Sequence, residues 1–133
     1  MSYEGRISEE ALLDLSRAID YIEYGLKNTT AAQKLYKRFF DSARLLLFSP
    51  TMYPIIQDLF LGHLRVRFMP IENYLLFYTI LDDIHEVRII RFLYAKSDWR
   101  TILKTNPNAV YMELDNKNHY VNEAKDPQDY KAK

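Results

Sequence analysis

Cysteine is absent from the 133-residue chain, which rules out disulfides and thiolate metal sites together. Glycine is scarce, with three residues, and none builds a Gly-rich loop that would cradle phosphate. No serine stands in a nucleophile-elbow setting, and no His/Asp/Glu group has metal-ligand spacing. The three histidines, His63, His85 and His119, fall near a strand start, in a turn and in the tail, with no base partner beside them. Also missing are a basic-then-apolar N-terminal leader and any apolar run long enough to cross a bilayer, so a cytoplasmic protein without membrane association is expected.

Charge of one sign is lacking as well. Lys and Arg number 18 against 18 Asp and Glu, and the balance holds on both sides of Leu103: 13 of each before it and 5 of each after it, which together make the 18. A broad positive field that would gather phosphate is thereby excluded, and any nucleic-acid role must rest on a local patch.

What is present suffices for one cooperative core. At 48% hydrophobic the chain is too short for two domains of usual size. Tyr74 to Leu81 is an almost unbroken series of strand-forming apolar and aromatic residues, which predicts a central strand covered on both faces. Asp82 and Asp83 supply turn chemistry, and a second strand from Glu86 to Tyr94 completes a hairpin. Asp98 is placed to cap a short last helix ending near Leu103. After Leu103 the sequence becomes polar, which predicts a domain over 1–103 and a tail over 104–133, with Val110, Tyr111, Met112 and Leu114 as the tail's apolar group.

Before the central strands, Tyr3 to Ile7 predicts a short edge strand. Ser8 is an N-cap candidate, with Glu9 and Glu10 in the first turn where carboxylates meet the positive end of the helix dipole. Leu12, Leu15, Ile19, Ile22 and Leu26 recur at helical spacing and form one apolar stripe. Glu10, Asp14, Asp20 and Glu23 mark the other side as an acidic, solvated face. Thr30 and Gln33 form a capping-box pattern for a second helix from about Ala31 to Phe48, ended by Ser49-Pro50. Its apolar face holds Leu35, Phe39 and Leu46, and Lys34, Lys37, Arg38 and Arg44 leave it basic outside. The two helices form an antiparallel hairpin whose stripe is expected to cover Leu76 or Phe77 and Ile89 or Ile90. Ile55 to Leu61 fits either a helical turn or an extended segment. Leu64 to Phe68 alternates strictly, which predicts a half-buried strand with Arg65 and Arg67 on its polar face.

The side chains available for function are basic and aromatic: Arg65, Arg67, Arg88, Arg91, Tyr94, Lys96 and Trp99. Guanidinium forks suit phosphate oxygens and exposed aromatics can stack on bases, although solvent-facing arginines on strands are equally common in proteins that bind nothing.

The run NYLLFY (Asn73–Tyr78), the short acidic loop, VRIIRFLY (Val87–Tyr94) and a basic residue shortly before Asp98-Trp99 resemble the C-terminal half of the RelE/ParE toxin superfamily of type II toxin-antitoxin systems. The resemblance extends from about Tyr3 to Leu103. It implies an α+β fold, with an N-terminal helical hairpin packed on a small, mainly antiparallel β-sheet. It also implies a cognate antitoxin as partner, bound by an amphipathic helix or an added strand along the hairpin and the edge near Leu64 to Phe68. No cofactor and no metal are implied.

Two targets follow from its two branches. The RelE branch cleaves mRNA on the translating ribosome without metal, and would assign Arg65, Arg67, Arg91 and Lys96 to phosphate charge and Tyr94 to acid–base work. That branch places an arginine after the tyrosine opening the central strand, where this chain has Leu75, and a tyrosine in the terminal helix, where it has Ile102. The ParE branch inhibits DNA gyrase, has a long helical hairpin, and commonly carries an arginine where Arg67 stands. The residues point toward ParE, with target contact expected at Arg67, Tyr94, Lys96 and Trp99. A non-toxic α+β interaction domain that kept the fold is the remaining reading.

Overall fold

The computed structural model describes residues 2–105 and 120–121. The elements run β1 (Glu4–Ile7), α1 (Glu9–Asp20), a π-helical turn (Tyr21–Gly25), α2 (Thr29–Phe48), α3 (Leu59–His63), β2 (Arg67–Ile71), β3 (Tyr74–Leu81), β4 (Glu86–Tyr94), α4 (Trp99–Thr105) and β5 (Tyr120–Val121). The sheet order is β2-β3-β4-β1-β5. β1 runs parallel to β4, and the other pairings are antiparallel. The expected α+β class is therefore found, with β3 and β4 spanning the residues their composition marks.

Two apolar layers share the central strands. Leu76, Tyr78, Ile89 and Phe92 face α1 and α2, meeting Leu15, Leu35, Phe39 and Leu46 in the first core. On the opposite face Leu75, Phe77, Ile90 and Leu93 meet Leu61, Val66, Trp99 and Leu103 in a second core. The helices thus cover Leu76 and Ile89 rather than Phe77 and Ile90. A β-bulge between Phe77 and Tyr78 shifts the register, so that Phe77 pairs with Arg91 and Tyr78 with Ile89. The extra residue rotates the end of β4, and Arg91 and Phe92 both reach toward α1.

Ser8 begins α1 as its chemistry suggests. Its Oγ accepts from the Ala11 N–H at 2.9 Å and donates to the Ile90 carbonyl at 2.9 Å, so one hydroxyl caps the helix and ties it to β4. The buried face of α1, however, consists of Ala11, Asp14, Leu15 and Ala18. Leu12, Ile19 and Ile22 are only partly buried at its margin, and Leu26 is exposed. Small residues allow close approach to β4, so the face is centred one position off the large aliphatic stripe. Asp14 is consequently buried rather than solvated.

The second helix starts earlier than its capping-box pattern predicts. The Asn28 side chain accepts from the Ala31 N–H at 3.0 Å, making Asn28 the N-cap and leaving Thr30 inside the first turn. The segment from Ile55 onward resolves into an isolated bridge between Ile55 and Arg67 followed by α3.

The predicted strand over Leu64 to Phe68 starts only at Arg67, and Met69, Pro70 and Ile71 belong to it. Arg65 instead sits at φ 60, donating from its N–H to Gly62 O at 3.0 Å while Val66 N–H reaches Leu61 O at 3.1 Å. These bonds close α3 in a Schellman arrangement, with Val66 and Leu61 packed together in the second core. β2 is an edge strand, which suits Pro70 because a proline cannot donate to a further strand there. β1 is not an edge, since β5 pairs with its other side. That pairing places Tyr120 and Val121 on the sheet. The tail's apolar group at 110–114, and His119, lie outside the described residues.

Candidate functional site at the end of the sheet

The seven basic and aromatic side chains singled out above do not converge. Arg88 lies on β4, 1% exposed, with Nε and Nη2 both donating to Glu86, while Glu86 also faces Arg6 at 3.8 Å. Two guanidinium groups on parallel neighbours thus share one carboxylate inside the protein.

Arg91 points to the helical face, donating from Nε and Nη2 to the two oxygens of Asp14 at 2.8 and 3.1 Å, with Glu10 at 4.0 Å. The Asp14 carboxylate also accepts the Phe92 N–H at 2.9 Å, beside the bulge. The bond to Asp14, ahead of the opposing effect of burial, holds the Arg91 guanidinium above its ordinary pKa. These two arginines have structural partners on opposite faces.

Arg67 begins β2 and is half-buried, its Nη1 donating to Tyr53 O at 2.6 Å. Next to it Tyr78 donates its hydroxyl to Pro50 O at 2.7 Å, and burial pushes the Tyr78 phenol up to about 12. Both side chains hold the 50–55 segment against the sheet. Arg67 pairs across from Tyr78, and Tyr94 pairs with Tyr74. The two levels are four residues apart, about 13 Å along the strand. Arg65 is exposed in the α3–β2 turn.

Trp99 is 9% exposed and belongs to the second core, edge-on to Phe68 at 5.7 Å and tilted against Phe77 at 5.3 Å, with the Arg100 guanidinium 4.3 Å over its ring. Leu75, at the place of the ribonuclease arginine, is buried in the same core, and Ile102, at the place of the terminal-helix tyrosine, packs against it. Apolar contacts occupy both positions.

Tyr94 and Lys96 remain accessible, at the end of β4 and in the following turn. That turn is held by Ala95 N–H donating to Asn73 O at 2.8 Å and by the Ser97 hydroxyl on Tyr94 O. Tyr94 meets Tyr74 edge-on at 5.7 Å, and Tyr74 stacks on Phe92 at 5.1 Å. Burial first, and then the neighbouring phenols Tyr21 and Tyr94, hold the Tyr74 hydroxyl above its ordinary pKa, so it stays a donor.

Residue reading passed over this tyrosine group because its members come from separate elements. Tyr21 and Tyr24 lie on the π-helical turn that prolongs α1, 58% and 71% exposed. A Cβ on Gly25 would meet the Tyr21 ring at 3.1 Å, so the glycine lets that ring lie flat along the turn. The backbone departs from regular geometry here, through the π turn and through the positive φ of Lys27 and Glu72. Arg38 ion-pairs with Glu72 and ties α2 to the β2–β3 turn. Such departures concentrate where a surface has a task beyond stability.

Among the described residues no group of three His, Cys, Asp or Glu is placed to hold a metal ion, and no described helix is long and apolar enough to cross a membrane. A helical hairpin laid across one face of a mixed sheet, with two short helices on the other, is the class of fold that these elements define, an α+β domain whose sheet end presents the Tyr94 phenol and the Lys96 ammonium. A family model described as "ParE toxin of type II toxin-antitoxin system, parDE" matches residues 6–99, and the chain belongs to that family. It is thus of a type II toxin kind, for which an antitoxin partner is implied. Comparison with curated proteins returns no match.

Proposed function

We propose that this toxin arrests growth in the cytoplasm by inhibiting DNA gyrase rather than by cutting mRNA on the ribosome. The observation that carries this reading is the apolar second core: Leu75 sits inside it and Ile102 packs against it, where a ribonuclease of the superfamily would need a guanidinium and a phenol. Arg91 and Arg88 are likewise committed to Asp14 and Glu86. A proteinaceous target also suits a chain with no net charge, because it demands less phosphate attraction.

In this reading Tyr94 and Lys96 contact the target directly. Arg67 and Trp99 contribute from beneath, Arg67 by fixing the Tyr53 segment and Trp99 by anchoring α4. The antitoxin adds along the helical hairpin and the part of the β2 edge beyond its bridge to Ile55, where no further strand pairs among the described residues.

The test is a pair of assays on purified protein: gyrase supercoiling with detection of cleavage complexes, and mRNA cleavage on programmed ribosomes. Loss of supercoiling without codon-phased cuts is expected. Codon-phased cuts with normal supercoiling would overturn the reading. In cells, Lys96→Ala should relieve growth arrest at unchanged thermal stability, because an exposed lysine contributes little to folding.

A further inference from the structure

On the reading of Tyr94 as a target contact, we propose that Tyr74 is a positioning residue whose ring holds the exposed Tyr94 side chain in one orientation at the end of the sheet. Tyr94 is the last residue of β4 and is 45% exposed, a setting in which a tyrosine ordinarily samples more than one staggered χ1 well. Its backbone is fixed: the Tyr94 carbonyl accepts from the Ser97 N–H at 3.0 Å and from the Ser97 hydroxyl at 2.6 Å, and the Ala95 N–H donates to Asn73 O at 2.8 Å. None of these bonds restrains the ring.

Among the described aromatic residues the Tyr94 ring meets Tyr74, its cross-strand partner, at 5.7 Å and 65°. Tyr74 in turn stacks on Phe92 at 5.1 Å and 17°, and Phe92 stands edge-on to Phe39 at 5.0 Å and 86°. Phe39 and Phe92 are 0% and 1% exposed in the first core. Four rings therefore run from the interior under α2 to the surface, each in an offset-stacked or edge-on arrangement that aromatic pairs favour. The close-packed end of this ladder does not move, so the ring at its exposed end is held.

The place of Tyr74 is itself set from both sides. It pairs with Ile71 on β2 and with Tyr94 on β4, and the turn before it is tied to α2 by the Arg38–Glu72 ion pair. Its hydroxyl makes no hydrogen bond among the described residues, so the ring and not the hydroxyl carries the link to Tyr94. Ordering a free side chain at an interface lowers affinity about two- to tenfold, a loss that a side chain ordered beforehand avoids.

The test compares Tyr74→Phe, which keeps the ring, with Tyr74→Leu, which removes it. NMR side-chain couplings should report one χ1 rotamer for Tyr94 in the wild type and in Tyr74→Phe, and an average of rotamers in Tyr74→Leu. The toxin level that gives half-maximal growth arrest should be unchanged in Tyr74→Phe and raised about two- to tenfold in Tyr74→Leu. The couplings are read on the free protein and the arrest in cells, so neither arm depends on gyrase being the target. An averaged Tyr94 rotamer in the wild type, or equal loss of arrest in both variants, would overturn the proposal. So would a Tyr74→Leu protein as potent as the wild type, or one that loses potency and melting temperature together while Tyr94 keeps its single rotamer.

Discussion

Asp14 is the side chain whose role differs most from its appearance in the sequence. It is an acid on a helix with other acids, yet its carboxylate accepts from Arg91 and from the Phe92 backbone inside the protein. Removing one partner of a buried ion pair leaves the other charge uncompensated, so Asp14→Ala should cost about 3 to 5 kcal/mol by chemical denaturation. A cost below half of that range would mean that solvent or Glu10 takes over the guanidinium. Arg65 behaves in the opposite sense. An L-residue at φ 60 in a helix-ending turn is strained, and Arg65→Gly should stabilise by about 1 kcal/mol. The same change would abolish activity only if Arg65 belonged to a ribonuclease site.

At the scale of elements, α2 offers a direct comparison between two capping assignments. Asn28→Ala should destabilise by about 1 kcal/mol, whereas Thr30→Ala and Gln33→Ala, which remove no cap, should change thermal stability little. On α1 the same logic separates Leu15 from Ile19. Leu15 is buried, so Leu15→Ala should cost about 2 to 5 kcal/mol, while Ile19→Ala should cost less because the side chain is only partly buried.

The last helix depends on charge as well as packing. Asp58 caps α3 and pairs with Lys104 of α4 at 2.8 Å. The Lys104 ammonium, followed by the Leu61 N–H, holds the Asp58 carboxyl below the usual carboxylate range. A depressed folded pKa means that the pair's contribution is complete above the unfolded value near about 3.9 and is lost as pH falls through the lower folded value. Fluorescence of Trp99, the single tryptophan, should therefore report loosening of α4 under acid below about pH 4, and Asp58→Asn should remove that pH dependence. Retention of the acid transition in Asp58→Asn would assign it to another carboxylate.

Considered whole, the molecule is two apolar layers on one set of strands, with Leu76 and Tyr78 of β3 in one layer and Leu75 and Phe77 in the other. Strands shared between layers cannot lose one without exposing the other. Unfolding followed by Trp99 fluorescence, which reads the second core, should thus coincide with unfolding followed by helical circular dichroism, which reads the first. Separate midpoints would show that α3 and α4 form an independent cap. The α4 transition under acid is a local event and is measured under conditions where the first core remains intact.

Chemistry carried on contiguous residues was legible without coordinates. Ser8 as a cap, β3 and β4 with their bounds and the helical hairpin follow from local pattern, because period, cap and turn chemistry act over a few residues, while the superfamily is read from the resemblance of the Asn73–Trp99 run. Counting Ala11 and Ala18 with the large aliphatic residues would also have placed Asp14 on the buried side, since the four lie at helical spacing. The tertiary structure decided which positions meet. A one-residue bulge turned Arg91 and Phe92 toward α1, and the Schellman end of α3 took Arg65 out of the strand that its alternation predicts. The cover of α3 and α4 turned Leu75 and Trp99 into core, with Ile102 packed against it. The tyrosines gather from the π turn and the ends of β3 and β4, elements separated by much of the chain, and a pattern confined to neighbours in sequence carries no record of such a meeting. What the sequence determines here is the helical hairpin and the β3–β4 pair; the choice at α3, the bounds of β2, the pairing of β5, and register, bulge and layer order were set by long-range packing, which determines which of its cations remain accessible.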